Sequence, residues 1–177
     1  MGQEPDGDDD SRKLGVGMVV AMWVVVLALL TAYFSHWQQQ QINPNQTLHS
    51  ISEPEGVREV VLKRNRYGHY VATGAINNIP VVFMLDTGAT DISVPQALAE
   101  RLDLEAGPPV YYQTANGTAK AYITRLDNVS LGEITLHDVR ALINPNFDSD
   151  EILLGMTFLK HLEFTQKGDT LTLRQYQ

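Results

Sequence analysis

Cysteine is absent from the 177-residue sequence, and with it go thiol nucleophiles, thiolate metal sites and disulfide frameworks. The compartment is left open, because cysteine-free domains occur in oxidising and reducing spaces alike. The five histidines, His36, His49, His69, His137 and His161, are scattered. None stands at the i, i+4 spacing that turns two ligands toward one metal from a helix face, so neither a metal nor a cofactor is expected. Basic residues are also in deficit: 13 Lys and Arg against 21 Asp and Glu give a net charge of −8. Of this, −3 falls in Met1 to Lys13 and −5 after Ser50. No segment carries the basic stripe that nucleic acid requires, and nucleic acid is not expected as a partner.

Charge of either sign is missing from Leu14 to Ser35, where Val19, Val20, Val24, Val25, Val26, Leu27, Leu29 and Leu30 dominate. A helix of this length spans the roughly 30 Å of bilayer hydrocarbon. Tyr33 and Trp37 fall at its far end, where amphipathic rings favour the headgroup level. A buried core helix fits less well, because the run is apolar all round. A cleaved signal peptide fits less well too, because the run is long and ends in Tyr33-Phe34-Ser35-His36 without a small-x-small site. Arg12 and Lys13 precede the run and no Lys or Arg follows until Arg58, which orients the folded part out of the cytoplasm. The expected organisation is an acidic cytoplasmic head over residues 1–13, a transmembrane helix over 14–35, a polar, solvated spacer over 36–56 and one folded domain over 57–177. At about 120 residues that domain buries roughly two-thirds of its unfolded surface and needs no covalent staple.

Within the domain, turn residues separate short strand-like runs. Val57 to Leu62 and Tyr70 to Ile76 flank a turn at Asn65 to Gly68 and predict a hairpin. Ile79 to Leu85 is continuously apolar, the pattern of a strand buried on both faces. Val110 to Thr114 and Thr118 to Thr124 flank Ala115-Asn116-Gly117, a strong hairpin signal. Val129 to Leu131, Ile134 to Leu136, Val139 to Ile143, Ile152 to Leu154 and Leu171 to Leu173 continue the strand pattern. Helices are expected only at Gln96 to Leu102 and Met156 to Leu162. The fold class is all-β: a small closed barrel or sandwich with one or two short helices, preceded by a single transmembrane helix.

The Ile79 to Leu85 strand delivers Asp86-Thr87-Gly88, a carboxylate in a tight loop immediately after apolar chain. Taken alone, Asp86 fits a turn-forming or helix-capping aspartate as well as a functional one. The longer segment Phe83-Met84-Leu85-Asp86-Thr87-Gly88-Ala89-Thr90, followed by Ile92-Ser93-Val94, resembles the active-site motif of retropepsin-like aspartic proteases. The Asn116-Gly117 hairpin stands where that family has its substrate-covering flap. Ile152-Leu153-Leu154-Gly155, with Met156 and Phe158, resembles the family's apolar-apolar-Gly signature near the C-terminus. The resemblance runs from about Val57 to Tyr176, and one membrane span, a polar spacer and a single such domain resemble an anchored bacterial group of these enzymes.

The resemblance implies the retropepsin fold and an aspartic endopeptidase acting on protein or peptide substrates as a homodimer, each copy contributing Asp86. Thr87 and Gly88 complete the catalytic set; Ala89, Thr90 and Asp91, with Thr114, Ala115, Asn116 and Gly117 of the flap, would contact substrate. Retroviral members carry Asp at the position of Thr90 and Arg at that of Met156, an ion pair that braces the subunit. Both are uncharged here, and losing them together avoids a lone buried charge. A different mode of pairing follows, through the C-terminal strand around Leu171 to Leu173 or through co-localisation in one membrane. The rival reading is an inactive module of the same fold that binds or dimerises at the membrane surface. A phospho-acceptor role for Asp86 lacks the acidic metal-binding cluster such sites need. Sequons at Asn45, Asn116 and Asn128 are taken as chance.

Overall fold

The computed structural model describes residues 7–52, 56–114 and 117–176. The chain divides into two compact units, Met1–Gln39 and Gln40–Gln177. The first is carried by α1 (Gly7–Ile42). From Gly15 onward this helix is long and apolar enough to cross a membrane, about 42 Å at 1.5 Å per residue. Its valines and leucines, Val26 apart, are exposed. The Thr31 hydroxyl is satisfied within the helix by donating to the Leu27 carbonyl at 2.8 Å. The helix runs seven residues past the expected end at Ser35, because Gln38 to Gln41 are good helix formers and nothing there breaks the turn.

The second unit contains two sheets. The smaller has the order β1 (His49–Ser52), β2 (Val57–Lys63), β11 (Thr170–Tyr176), β10 (Glu163–Lys167), antiparallel throughout. The larger has the order β3 (Tyr70–Ile76), β4 (Ile79–Leu85), β9 (Glu151–Leu154), β5 (Ile92–Pro95), β8 (Ile134–Asn144), β7 (Gly117–Leu131), β6 (Pro109–Thr114). A further pairing of Ala75 and Ile76 with Ser130 and Val129 bends this sheet into a ring. Two short helices, α2 (Gln96–Arg101) and α3 (Met156–Leu159), pack on it. Phe83, Ile92, Val94, Leu126, Ile134, Ile152, Leu154 and Phe158 form a continuous buried core. The architecture of this unit is all-β, with two short helices.

Four expectations are corrected. Residues β2 and β3 do not form a hairpin: they belong to different sheets. The Asn65 side chain accepts from the Tyr67 and His69 amides and turns the chain away, while the Asn45 amide donates to both Lys63 O, at 2.8 Å, and Val71 O, at 2.7 Å, where a ladder would have begun. Asn45 also accepts from the Lys63 amide, and Asn43 donates to Thr73. The supposed spacer is therefore packed at Asn43 to Asn45, both buried, and it contributes strand β1. Strand β4 is fully buried only at Val81 and Phe83; Ile79 and Pro80 are exposed. Finally, β11 lies between β2 and β10, with Leu171 and Leu173 buried. It has no free edge to offer a partner.

The runs expected at Val129 and at Ile134 merge into the long strands β7 and β8, and α3 is shorter than expected. Burial of Asn45 leaves no access to its sequon, and Asn116 lies outside the described residues.

Candidate active site

Strand β4 runs parallel to β9, Leu85 opposite Leu154, and the pairing reaches one residue beyond the strand: the Asp86 amide donates to Leu154 O at 3.2 Å. The chain then turns sharply. Asp86 Oδ1 accepts from the Gly88 amide at 2.8 Å, and the Asp86 carbonyl accepts from the Ala89 amide at 3.2 Å. Asp86 is therefore a turn-forming aspartate, and the turn is what aims it. With Oδ1 engaged, Oδ2 carries no hydrogen bond among the described residues. A side chain at position 88 would place its Cβ 3.1 Å from Asp86 Oδ1, so glycine there keeps the carboxylate uncrowded.

The loop is anchored from the opposite side by the Ile152-Leu153-Leu154-Gly155 segment. Met156 N–H donates to Ala89 O at 2.8 Å, and Thr157 N–H donates to Thr90 O at 2.9 Å. The Thr157 hydroxyl accepts from the Ile92 amide at 3.1 Å. A Cβ on Gly155 would lie 2.4 Å from Asp91 O and 2.6 Å from Ala89 O. Only glycine lets these backbones approach, which is the physical content of the apolar-apolar-Gly signature. Where Thr90 and Met156 lack the charges of the retroviral members, these backbone bonds hold the loop, and Met156 packs against the core.

Asp86 lies between two cavities. The larger, about 610 Å³, is lined by Asp86, Gly88, Ala89, Thr90 and Asp91 together with Ser93, Tyr112, Leu142, Asn144, Phe147 and Leu153. The smaller, about 270 Å³, is lined by Asp86 and Thr87 with Tyr70, Leu85, Leu159, Phe164, Gln166, Leu171 and Leu173. The other carboxylate of the larger cavity, Asp91, is 17% exposed and pairs with Arg140 at 3.5 Å.

Strands β6 and β7 form the expected hairpin, with Gln113 paired to Thr118 and Thr114 to Gly117. Thr114 and Gly117 thus close the arm, whereas Ala115 and Asn116 lie outside the described residues. Two residues before Thr114, Tyr112 enters the larger cavity, and its hydroxyl accepts from Asn144 Nδ2 at 2.7 Å. Burial pushes the Tyr112 phenol above its usual value, with the Asn144 bond acting the other way. Sequence reasoning gave no site role to Tyr112, Asn144 and Phe147, nor to Ser93, which it named only as part of the motif. Ser93 and Tyr112 sit at period-two positions from Asp91 and Thr114, a signal present in the sequence; Asn144 and Phe147 reach the cavity only through the long β8 strand and its following turn.

The chain is similar to known proteins. A family profile described as gag-polyprotein putative aspartyl protease matches residues 72–161. A Sinorhizobium sp. protein, described as the uncharacterized protein in cobV 5'region, is 33% identical over 177 residues, covering 92% of this chain and 76% of its own. The uncharacterized protein RP867 of Rickettsia prowazekii is 28% identical, covering 89% of this chain and 70% of its own. Among solved structures, a retropepsin-like aspartic protease from Rickettsia conorii superposes with a TM-score of 0.58 at 29% identity, over 73% of this chain and 96% of that one. With the Asp86 turn, the Gly155 anchor and the β6–β7 hairpin, these matches establish that the chain belongs to the retropepsin-like aspartyl protease family.

Proposed function

We propose that this chain is a membrane-anchored aspartic endopeptidase whose catalytic site is built from Asp86 of two copies. One observation carries the reading. Asp86 is presented between two cavities by a fixed turn, and the neighbouring carboxylate, Asp91, is committed to Arg140. A single chain therefore supplies one catalytic carboxylate, and a dyad requires a second copy.

Two Asp86 carboxylates brought within hydrogen-bond reach cannot both ionise cheaply, so the pair shares one proton. The ionised member takes a proton from a bound water as its oxygen attacks the scissile carbonyl carbon. The protonated member hydrogen-bonds the carbonyl oxygen and stabilises the charge that develops there. Collapse of the tetrahedral intermediate breaks the C–N bond, and the amine leaves with a proton from the dyad. No covalent intermediate or cofactor is needed. Thr87 faces the second cavity, where it is placed to join the two loops. Ala89, Thr90 and Asp91 form one wall for the peptide, and the β6–β7 hairpin closes over it and excludes water.

Helix α1 is the anchor in this reading. Arg12 and Lys13 keep its start in the cytoplasm, and the protease unit lies outside it, in the periplasm where the cell is a Gram-negative bacterium.

The test is cleavage of a diverse peptide library by the full chain in detergent, across protein concentration, beside Asp86→Asn. Cleavage that rises per chain with concentration and vanishes in the variant supports the reading. A dimeric wild type that cuts nothing would leave the binding-module reading in its place.

A further inference from the structure

A separate cavity, of about 260 Å³, is walled by Arg125, His137, Arg140, Lys160 and His161, with Asp138 as its one carboxylate. It shares no lining residue with the two cavities beside Asp86. Counting neither imidazole, three positive side chains and one negative one leave it at +2, in a chain whose net charge is −8.

Strands β7 and β8 hold Arg125 directly opposite Arg140. Side chains at opposed positions share one face of the sheet, and like charges there repel. Each arginine is offset by one carboxylate. The Arg125 guanidinium donates to both carboxylate oxygens of Asp138 and to its carbonyl, the last at 3.1 Å. Arg140 stands 3.5 Å from Asp91. Both arginines remain open to solvent, 62% and 49% exposed. Lys160, in the turn that ends α3, has no ion-pair partner among the described residues.

The backbone is shaped around this cluster. The β7–β8 ladder passes over Asp127 and Asp138, and Asp138 takes φ +54°, a left-handed conformation uncommon for a residue with a Cβ. Strained backbone inside a long strand persists only where its surroundings hold it, and here Arg125 does so. The strand thus keeps both a distorted turn and an opposed arginine pair at the wall of one cavity.

We propose that this cavity binds a phosphate group, carried by a small molecule or by a lipid headgroup, between Arg125, Arg140 and Lys160. Phosphate suits the arrangement because it offers several acceptor oxygens at once, and planar guanidinium groups take such oxygens in pairs. A carboxylate would bring one negative charge against +2, whereas a phosphate monoester brings nearly two. An anion seated between the opposed arginines also offsets their mutual repulsion.

The site is coupled to the Asp86 loop through two residues. Arg140 lines this cavity and also pairs with Asp91 of the larger one. Thr157 lines it too, while its amide donates to Thr90 O and its hydroxyl accepts from the Ile92 amide. Phosphate that draws Arg140 from Asp91 leaves that carboxylate freer to meet a peptide. Occupancy therefore shifts cleavage toward peptides carrying Lys or Arg and away from those carrying Asp or Glu. This consequence rests on the protease reading; the binding itself does not.

Binding is measured on the full chain in detergent by calorimetric titration of inorganic phosphate, against chloride at equal ionic strength. One phosphate per chain is expected, with affinity about tenfold lower in Lys160→Gln and restored in Lys160→Arg. Lys160 is exposed, so neither change disturbs packing. Arg140→Gln is expected to weaken binding at least as much. Heat that does not saturate, heat that chloride reproduces, or wild-type affinity in both Lys160→Gln and Arg140→Gln would overturn the proposal. The source is read in vesicles of phosphatidylcholine with and without phosphatidylglycerol. Loss of the phosphate titration when phosphatidylglycerol is present assigns the site to a lipid headgroup, and an unchanged titration assigns it to a small molecule. Cleavage of a Lys-containing and a Glu-containing peptide is then compared with and without phosphate, and their ratio is expected to rise in wild type but not in Lys160→Gln. Binding with no change in that ratio would overturn the coupling to Asp91. Binding by a chain that cuts neither peptide would count against the protease reading and leave the phosphate site standing.

Discussion

Replacing Gly155 with alanine isolates the contact that holds the Asp86 loop. The backbone at 155, with φ −89° and ψ −167°, is open to any residue, so alanine introduces no dihedral strain. Its Cβ, however, would stand 2.4 Å from Asp91 O, 2.6 Å from Ala89 O and 2.9 Å from Asp91 C, where ordinary contact begins at 3.4 Å. Loop backbone has no flexible end to swing aside, so the 89–91 segment must retreat by about 1 Å. The bonds from Met156 to Ala89 and from Thr157 to Thr90 stretch with it. Overpacking of this kind costs about 1–3 kcal/mol of stability, and a 1 Å displacement of a reacting group costs about 100-fold in rate. The assay is kcat/KM on the best library peptide, with thermal unfolding and oligomeric state measured on the same preparation. Gly68→Ala is the control: at φ +89° with no atom within 4 Å of an added Cβ, it brings backbone strain of about 1 kcal/mol without crowding the 89–91 segment. It leaves the contacts of Gly155 intact, so kcat/KM of the folded protein is expected to fall far less than in Gly155→Ala. A folded Gly155→Ala with wild-type kcat/KM would refute the claim that this approach positions Asp86.

Asn45→Ala removes bonds to both backbone groups of Lys63 and to the Val71 carbonyl, leaving buried polar groups unmet. The expected loss is about 2–3 kcal/mol, seen as a Tm lower by roughly 10 °C; an unchanged Tm would show the segment to be a mere tether. Tyr112→Phe deletes the link between the β6–β7 arm and Asn144, worth about 1 kcal/mol, and, if that arm covers the substrate, should lower kcat/KM about fivefold, chiefly through KM. An unaltered KM would mean that the link does not position the flap. Because the chain has no cysteine, single-cysteine variants report topology cleanly. Exposed Lys160→Cys should react with a membrane-impermeant maleimide in intact cells, and Ser11→Cys only after lysis; the reverse pattern would invert the proposed orientation.

What the sequence discloses here is what short segments encode by themselves. Asp86-Thr87-Gly88 and Leu154-Gly155 are legible because each glycine answers to an atom only a few residues away or to one facing loop. The β3, β4 and β6–β7 segments are legible because their apolar and turn residues are local signals. Pairing is not local. The run from Val57 reads as half of a hairpin until the Asn45 amide is seen between Lys63 and Val71. Asn45 itself is indistinguishable, within a Gln- and Asn-rich stretch, from a solvated residue. Strand β10 carries too little apolar alternation to stand out, and its place at the sheet edge depends on β11 returning to lie beside β2. The cavity wall at Asn144 and Phe147 is likewise a product of where β8 ends in space.

The central claim, one carboxylate from each of two chains, is tested most directly by mixing subunits. Wild type and Asp86→Asn are combined at fixed total concentration, well above that needed for pairing, and allowed to exchange before cleavage is measured. If both Asp86 residues are required, activity follows the square of the wild-type fraction and an equal mixture retains about a quarter. Activity that falls only in proportion to the wild-type fraction, to about half, would show that each chain cuts with its own Asp86 and would contradict the account.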